Sequence, residues 1–211
     1  MRILHIDNPI MRIMNRVANI MIVNLLLLFC SIPIVTAGAA TVAAHKVMQG
    51  VVRGTERGLL KEYFRAFLLN LKQATIVWIV FIAITLALGY EMYVLLVVHQ
   101  ITSFSILIIG VLVVSVLLVG ICNYLFPLIA RYENTLIQHL KNACYLLLGN
   151  PLRSILLIAV GIAPFAIPLV FTDFFVRRIY IWILFLLGLS VYLNAILLKP
   201  VFQKLENDDM Q

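Results

Sequence analysis

The chain has 211 residues, 64% of them hydrophobic and only 12% charged, with a net charge of +7 and a mean hydropathy of +1.08. A soluble domain carries about a quarter of its residues as Asp, Glu, Lys or Arg, and a core of this size cannot hide so much apolar surface. The composition excludes a soluble globular fold, and the Lys and Arg residues flank apolar runs instead of clustering on one face, which excludes nucleic acid as the partner of the positive charge.

Five long uncharged runs stand out: Val17 to Ala44, Ala74 to Tyr90, Phe104 to Ala130, Ser154 to Thr172 and Ile179 to Leu198. Each is close to the ~20 residues that a helix needs to cross a bilayer core. The expected class is therefore an all-α polytopic membrane protein in a single integral domain. It has about five transmembrane helices, with two amphipathic helices lying at the interface.

Asn8-Pro9 reads as a helix start, with the cap residue followed by proline where no N–H is needed. Arg12, Asn15, Arg16 and Asn19 then share one face opposite Ile10, Ile13, Met14 and Val17. Pro33 should kink or break this helix. The small residues Ala37 to Ala44 follow, with Ala39/Ala43 and Ala40/Ala44 spaced for close helix packing. Ala37-Gly38-Ala39 imitates a signal-peptidase site. Cleavage there would place the basic segment Lys46, Arg53, Arg57, Lys61, Arg65 and Lys72 outside, against the positive-inside rule, so a retained helix is expected.

Leu59, Leu60, Tyr63, Phe64, Phe67, Leu68 and Leu71 recur at helical spacing against charged residues, which suits a helix on the bilayer surface ahead of the second crossing. The link Glu91 to Ser103 lacks Lys and Arg and should be extracellular, and the third crossing should end near Pro127. Arg131, Glu133, His139 and Lys141 mark a second amphipathic stretch. Asn150-Pro151 starts the fourth crossing, with Arg153 just inside it. Pro164 and Pro168, four apart, predict a bend with freed carbonyls that neighbours must satisfy. The fifth crossing returns to Lys199, Pro200 and a cytoplasmic tail.

A weak internal repeat pairs roughly 17–90 with 104–172. In that reading Val17 to Ala44 is one kinked crossing. The competing reading makes Val17 to Val35 and Ala37 to Val52 a hairpin, giving six crossings. Five is favoured, because a sixth helix would put His45 and Lys46 in mid-membrane at a cost of a few kcal/mol.

Few groups are suited to chemistry. Glu91 and Asp173 sit at helix ends. His5, His45, His99 and His139 fall in four separate segments, and Cys30, Cys122 and Cys144 lie among apolar neighbours, without metal-ligand spacing. No phosphate-binding loop, nucleophile elbow or dinucleotide fingerprint is present. No catalytic, metal or cofactor residue is expected. Polar residues at depth, among them Asn24, Thr36, Thr41, Thr85, Ser115, Asn123, Ser190 and Asn194, are expected to hydrogen-bond between helices. A sharper alternative has Pro33, Thr36 and Gly38 opening a small polar pocket completed by Asn24 or Asn123, with Ala40 on the packing face.

The block from Leu28 to Ala44, with its Pro33-x-x-Thr36-x-Gly38-Ala39-Ala40 core, precedes Tyr63-Phe64-Arg65-Ala66-Phe67 and Asn70-Leu71-Lys72-Gln73-Ala74. Together with Arg131-Tyr132-Glu133 and Lys141-Asn142-Ala143, it resembles the YesL-like family of bacterial membrane proteins of unknown function. His45-Lys46 departs from that pattern, where an aromatic residue is expected near the helix end. The resemblance implies a small integral protein of the cell membrane in Gram-positive bacteria, often encoded beside carbohydrate uptake transporters. It brings no catalytic residue.

The expected function is thus a non-enzymatic accessory or regulatory component that docks through Ala37 to Ala44 on the membrane subunits of a sugar importer. The basic residues Arg53, Arg57, Lys61, Arg65, Lys72, Arg131, Lys141 and Arg153 would face the anionic inner leaflet. The alternative is a small transporter or channel, working as a homo-oligomer, with Thr36, Gly38 and Asn123 along the path.

Overall fold

The computed structural model describes residues 9–55, 58–99, 105–172, 177 and 179–208. The described chain is helical, without strands. Its elements are α1 (Pro9–Cys30), a 3-10 turn (Ile34–Thr36), α2 (Ala37–Arg53) and α3 (Leu59–Tyr93), which is prolonged by a π turn at Val94–Val98. There follow α4 (Ile106–Arg131), α5 (Leu136–Gly149), α6 (Pro151–Val170) and α7, made of Ile179–Ile181 and Leu187–Asp208 joined by a π turn at Trp182–Leu186. Five stretches are long and apolar enough to cross a membrane: Ile10–Cys30, Leu59–Val98, Ile106–Arg131, Pro151–Val170 and Ile179–Asn207. The polytopic all-α architecture is therefore present.

Pro33 does more than kink the first run. Its backbone is extended (φ −75°, ψ 107°), α1 stops at Cys30, and the Thr36 hydroxyl donates to the carbonyls of Cys30 (2.7 Å) and Pro33 (2.8 Å) that the break exposes. The small residues Ala37 to Ala44 consequently begin a new helix instead of ending the first, which corrects the reading of Val17 to Ala44 as one crossing. α2 closes on Gly54 at φ +73°, where only glycine is unstrained. There the Gly54 N–H donates to Val51 and the Thr55 N–H to Gly50, the paired bonds of a Schellman ending. The chain then turns back along α2, so that α2 and the first half of α3 form a helical hairpin.

α2 is the central element, packed by α1, α3, α4 and α7, with most of its residues from Gly38 to Val51 buried. It is not among the five stretches, so the favoured count of five stands, and the pair that argued against a sixth lies inside the protein: His45 is enclosed at 5% exposure, while Lys46 reaches an open cleft. Two further boundaries differ from expectation. The amphipathic stretch from Leu59 is not a separate surface helix. It runs unbroken into the second crossing, since Leu71-Lys72-Gln73-Ala74 holds no helix breaker. In the equivalent place, Asn150-Pro151 does separate α5 from α6. Pro127 and Pro200 lie inside α4 and α7 instead of marking their ends.

Candidate functional site

The polar side chains at depth serve the backbone. Proline at 127 cannot donate to the carbonyl of Asn123, and Asn194 Nδ2 supplies that bond at 3.3 Å as well as one to Asn123 Oδ1 at 3.2 Å. Proline at 164 likewise strands the carbonyl of Val160, and Ser190 Oγ donates to it at 2.7 Å. Ser190 and Asn194 are four residues apart, one turn of α7, and they repair proline defects in α6 and α4 respectively. Asn24 does similar work on α7. Its Nδ2 donates to the carbonyl of Ile183 and its Oδ1 accepts from the N–H of Gly188, so the amide sits astride the π turn.

Other polar residues close on their own helices. Thr41, Thr85 and Ser115 donate to the carbonyls of Ala37, Phe81 and Val111, each 2.8 Å away and four residues earlier, so the expected bonds between helices are not made by these three.

The pocket expected around the Pro33 break is not built. Thr36 is taken up by the turn, and Trp78 Nε1 donates to the Ile34 carbonyl at 2.7 Å. A Cβ on Gly38 would stand 2.5 Å from both the Ala74 carbonyl oxygen and Trp78 Cβ. Asn24 bonds to α7 at Ile183 and Gly188, whereas Asn123 bonds to Asn194 and Val119 and fills the space beside Gly161. The small-residue face is likewise occupied. Ala39, Ala40, Ala43 and Ala44 have no exposed surface, and the Ala40 carbonyl receives the Tyr63 hydroxyl at 3.2 Å. That face packs the chain's own α1 and α3 and is not open to a partner.

A concavity lies at the end of the bundle where many of the basic residues gather. It is an open cleft of about 1050 Å³ between α2, the first half of α3 and the connection from α4 to α5. Lys46, Lys61 and Arg65 line one wall together with Glu62 and Asn70. Arg131, Glu133, Asn134 and Gln138 line the other, and Gln73 Nε2 bridges to the Asn134 carbonyl at 3.1 Å. Arg131 is already engaged. Its Nη2 and Nε reach Glu206 Oε1 at 2.7 and 2.9 Å, and its guanidinium lies 4.7 Å from the Phe202 ring centroid. The Lys46 ammonium is held below its ordinary pKa by burial, and further by the charge of Arg53.

Of the remaining basic residues, Arg53 donates to the Gln49 carbonyl at 3.1 Å at the end of α2. Lys72 and Lys141 are exposed on α3 and α5, Arg153 is half-buried at the start of α6, and Arg57 lies outside the described residues, as do His5 and Asp173. Glu91 and His99 are exposed near the far end of α3. Cys30 and Cys122 are buried and Cys144 half-buried, all free. Among the described residues no three His, Cys, Asp or Glu side chains gather as a metal site would require.

Residues 20–92 match the family described as protein of unknown function, DUF624. This is the YesL-like family of membrane proteins, and the match covers about a third of the chain. Neither curated proteins nor solved structures give a match. The matched residues run from α1 through nearly all of α3. They hold the wall of the cleft made by Lys46, Lys61, Glu62, Arg65 and Asn70, while the opposite wall lies beyond them. Within the YesL-like segment, the block from Pro33 to Ala40 has a structural meaning at each step. Proline breaks the helix, threonine caps the exposed carbonyls, and glycine and alanines admit α3 at backbone contact.

Sequence reasoning marked Lys61, Arg65 and Arg131 as basic residues of one membrane face, but not as parts of one cleft. Lys46 reads from the sequence as the first of the same basic segment and as an obstacle to a sixth crossing, not as part of a cleft. The missing signal is tertiary: residues near 46, 61 and 131 meet only because α2 and α3 form a hairpin and α4 ends against it.

Proposed function

We propose that this YesL-like protein is a non-enzymatic accessory component of a membrane transport assembly, with carbohydrate uptake the process that its resemblance implies. The observation that supports this reading best is the use made of the polar residues at depth. Asn24, Asn123, Ser190 and Asn194 are bonded into proline defects and a π turn of the bundle, which leaves them unsuited to line a route for a polar solute. Exposed charge is carried instead by the cleft at one end, on Lys61, Arg65 and Glu133. The positive-inside rule assigns that end to the cytoplasm, where it meets the inner leaflet and any cytoplasmic or membrane partner.

Purification from the native membrane in mild detergent, with quantitative mass spectrometry of the companions, tests this reading. Transport subunits in fixed stoichiometry, together with proteoliposomes of the isolated chain that stay impermeable to sugars and ions, are the expected result. A homo-oligomer that conducts a solute on its own would sink it and favour the transporter alternative. Gly38→Leu, at first sight a means of disrupting a docking face, is unsuitable as a control, because it acts on the contact between α2 and α3.

A further inference from the structure

The cleft at the basic end contains charge that the fold does not consume. Among the described residues the one ion pair joins Arg131 to Glu206, and Gln73 is spent on Asn134. Lys46, Lys61 and Arg65 line the same cleft without an ion pair of that kind. Lys61 and Arg65 are four residues apart on α3, hence on one face, and both are exposed. Lys46 comes from the other arm of the hairpin and is half-buried. Three cations from two helices thus line one open space, with Glu62 and Glu133 between the walls, a pattern suited to an anion with several oxygens that also carries donor groups.

The cleft's size and remaining lining narrow the ligand. About 1050 Å³ is far more than an inorganic anion fills and matches a small organic molecule. Glu62 and Glu133 add acceptors, and Asn70 and Gln138 add amides, which suit hydroxyl or amine groups attached to the anion. Leu69, at 73% exposure, lines the cleft. With Ala66 and Ile129 it gives the ligand's apolar part a place to lie.

We infer that this cleft binds an organic phosphate ester, its phosphate held by Lys46, Lys61 and Arg65 and its polar substituents by the carboxylates and amides of the walls. The ester comes from the bilayer as a lipid headgroup or from solution as a free molecule. The inference is independent of the accessory reading, since it concerns a small ligand and stands or falls whatever protein partner is found.

The test uses the full chain in phosphatidylcholine nanodiscs with two probes: phosphatidylglycerol, read by native mass spectrometry of retained lipid, and soluble glycerol 3-phosphate, read by calorimetric titration. Lys46→Gln and the double variant Lys61→Gln/Arg65→Gln are compared with Lys141→Gln and Arg153→Gln, which lie outside the cleft. Loss of binding by about tenfold in the cleft variants with the controls unchanged supports the site. That pattern with phosphatidylglycerol identifies a lipid source, and with glycerol 3-phosphate a soluble one. Binding of neither probe, equal losses in the controls, or cleft variants that bind as the parent does each overturn it. Should Lys46→Gln fail to fold, the exposed pair on α3 decides the matter alone.

Discussion

Gly38 shows how narrowly one position can be fixed. An added methyl group would meet main-chain oxygen and the Trp78 Cβ at 2.5 Å, neither of which is the yielding tip of a flexible side chain. Gly38→Ala is expected to cost about 1–3 kcal/mol and Gly38→Leu more, seen as a lower melting temperature in detergent. An unchanged melting temperature would show that α2 and α3 separate at no cost.

His45 gives a second expectation at this scale. Burial drives its pKa from 6.5 down to about 3 in the folded chain. Between those values the unfolded state carries the proton and the folded state does not. Stability is therefore complete above pH 6.5 and declines as the pH falls toward 3, by up to ~1.4 kcal/mol per pH unit. Unfolding followed across that range should show the slope, and His45→Gln should reduce it, leaving the share due to His139, whose pKa burial also lowers. A variant that keeps the full slope would point to another group.

At the scale of elements, α7 acts as the repair strip of the bundle, and a double-mutant cycle tests this. Ser190→Ala is expected to cost ~0.6–2 kcal/mol, because it strands the Val160 carbonyl. Pro164→Ala returns a backbone donor to that carbonyl, so Ser190→Ala should cost less in its presence. Equal costs in both backgrounds would mean that the hydroxyl contributes nothing through this bond.

The same elements show what could be read in advance. The apolar runs announced the crossings, and Pro33 announced its break. Pro164 and Pro168 announced carbonyls needing outside donors, but not which residue would supply them, since Ser190 lies 30 positions from Val160. The fusion of the amphipathic stretch with the second crossing stayed hidden because its alternating charge resembles a surface helix. Its Tyr63 and Ala66 are instead buried against α2, a helix that composition alone had divided between two readings. The cleft was invisible for a related reason: each of its cations looked like an ordinary flanking charge until the hairpin brought them together.

At the scale of the molecule, the basic end is tied across by Arg131 and Glu206, which join the last turns of α4 and α7. The guanidinium is only 7% exposed and also rests on Phe202, so both its planarity and its charge are in use. Arg131→Lys keeps the charge but loses the stacked, two-nitrogen contact. Limited proteolysis beyond Phe202 is expected to accelerate several-fold. An unaltered cleavage rate would assign the hold on this segment to the packing of Val201 and Phe202 alone.

The unbroken course of α3 carries a mechanical consequence. With its π turn it extends for 40 residues, about 60 Å at the usual rise, roughly twice the thickness of a bilayer core. Lys61 and Arg65 ride on one arm of this rod and the membrane-crossing part forms the other, with the Gly38 contact at Ala74 and Trp78 between them. No loop separates the cleft wall from the crossing, so the two are the ends of one continuous helix and share a single orientation.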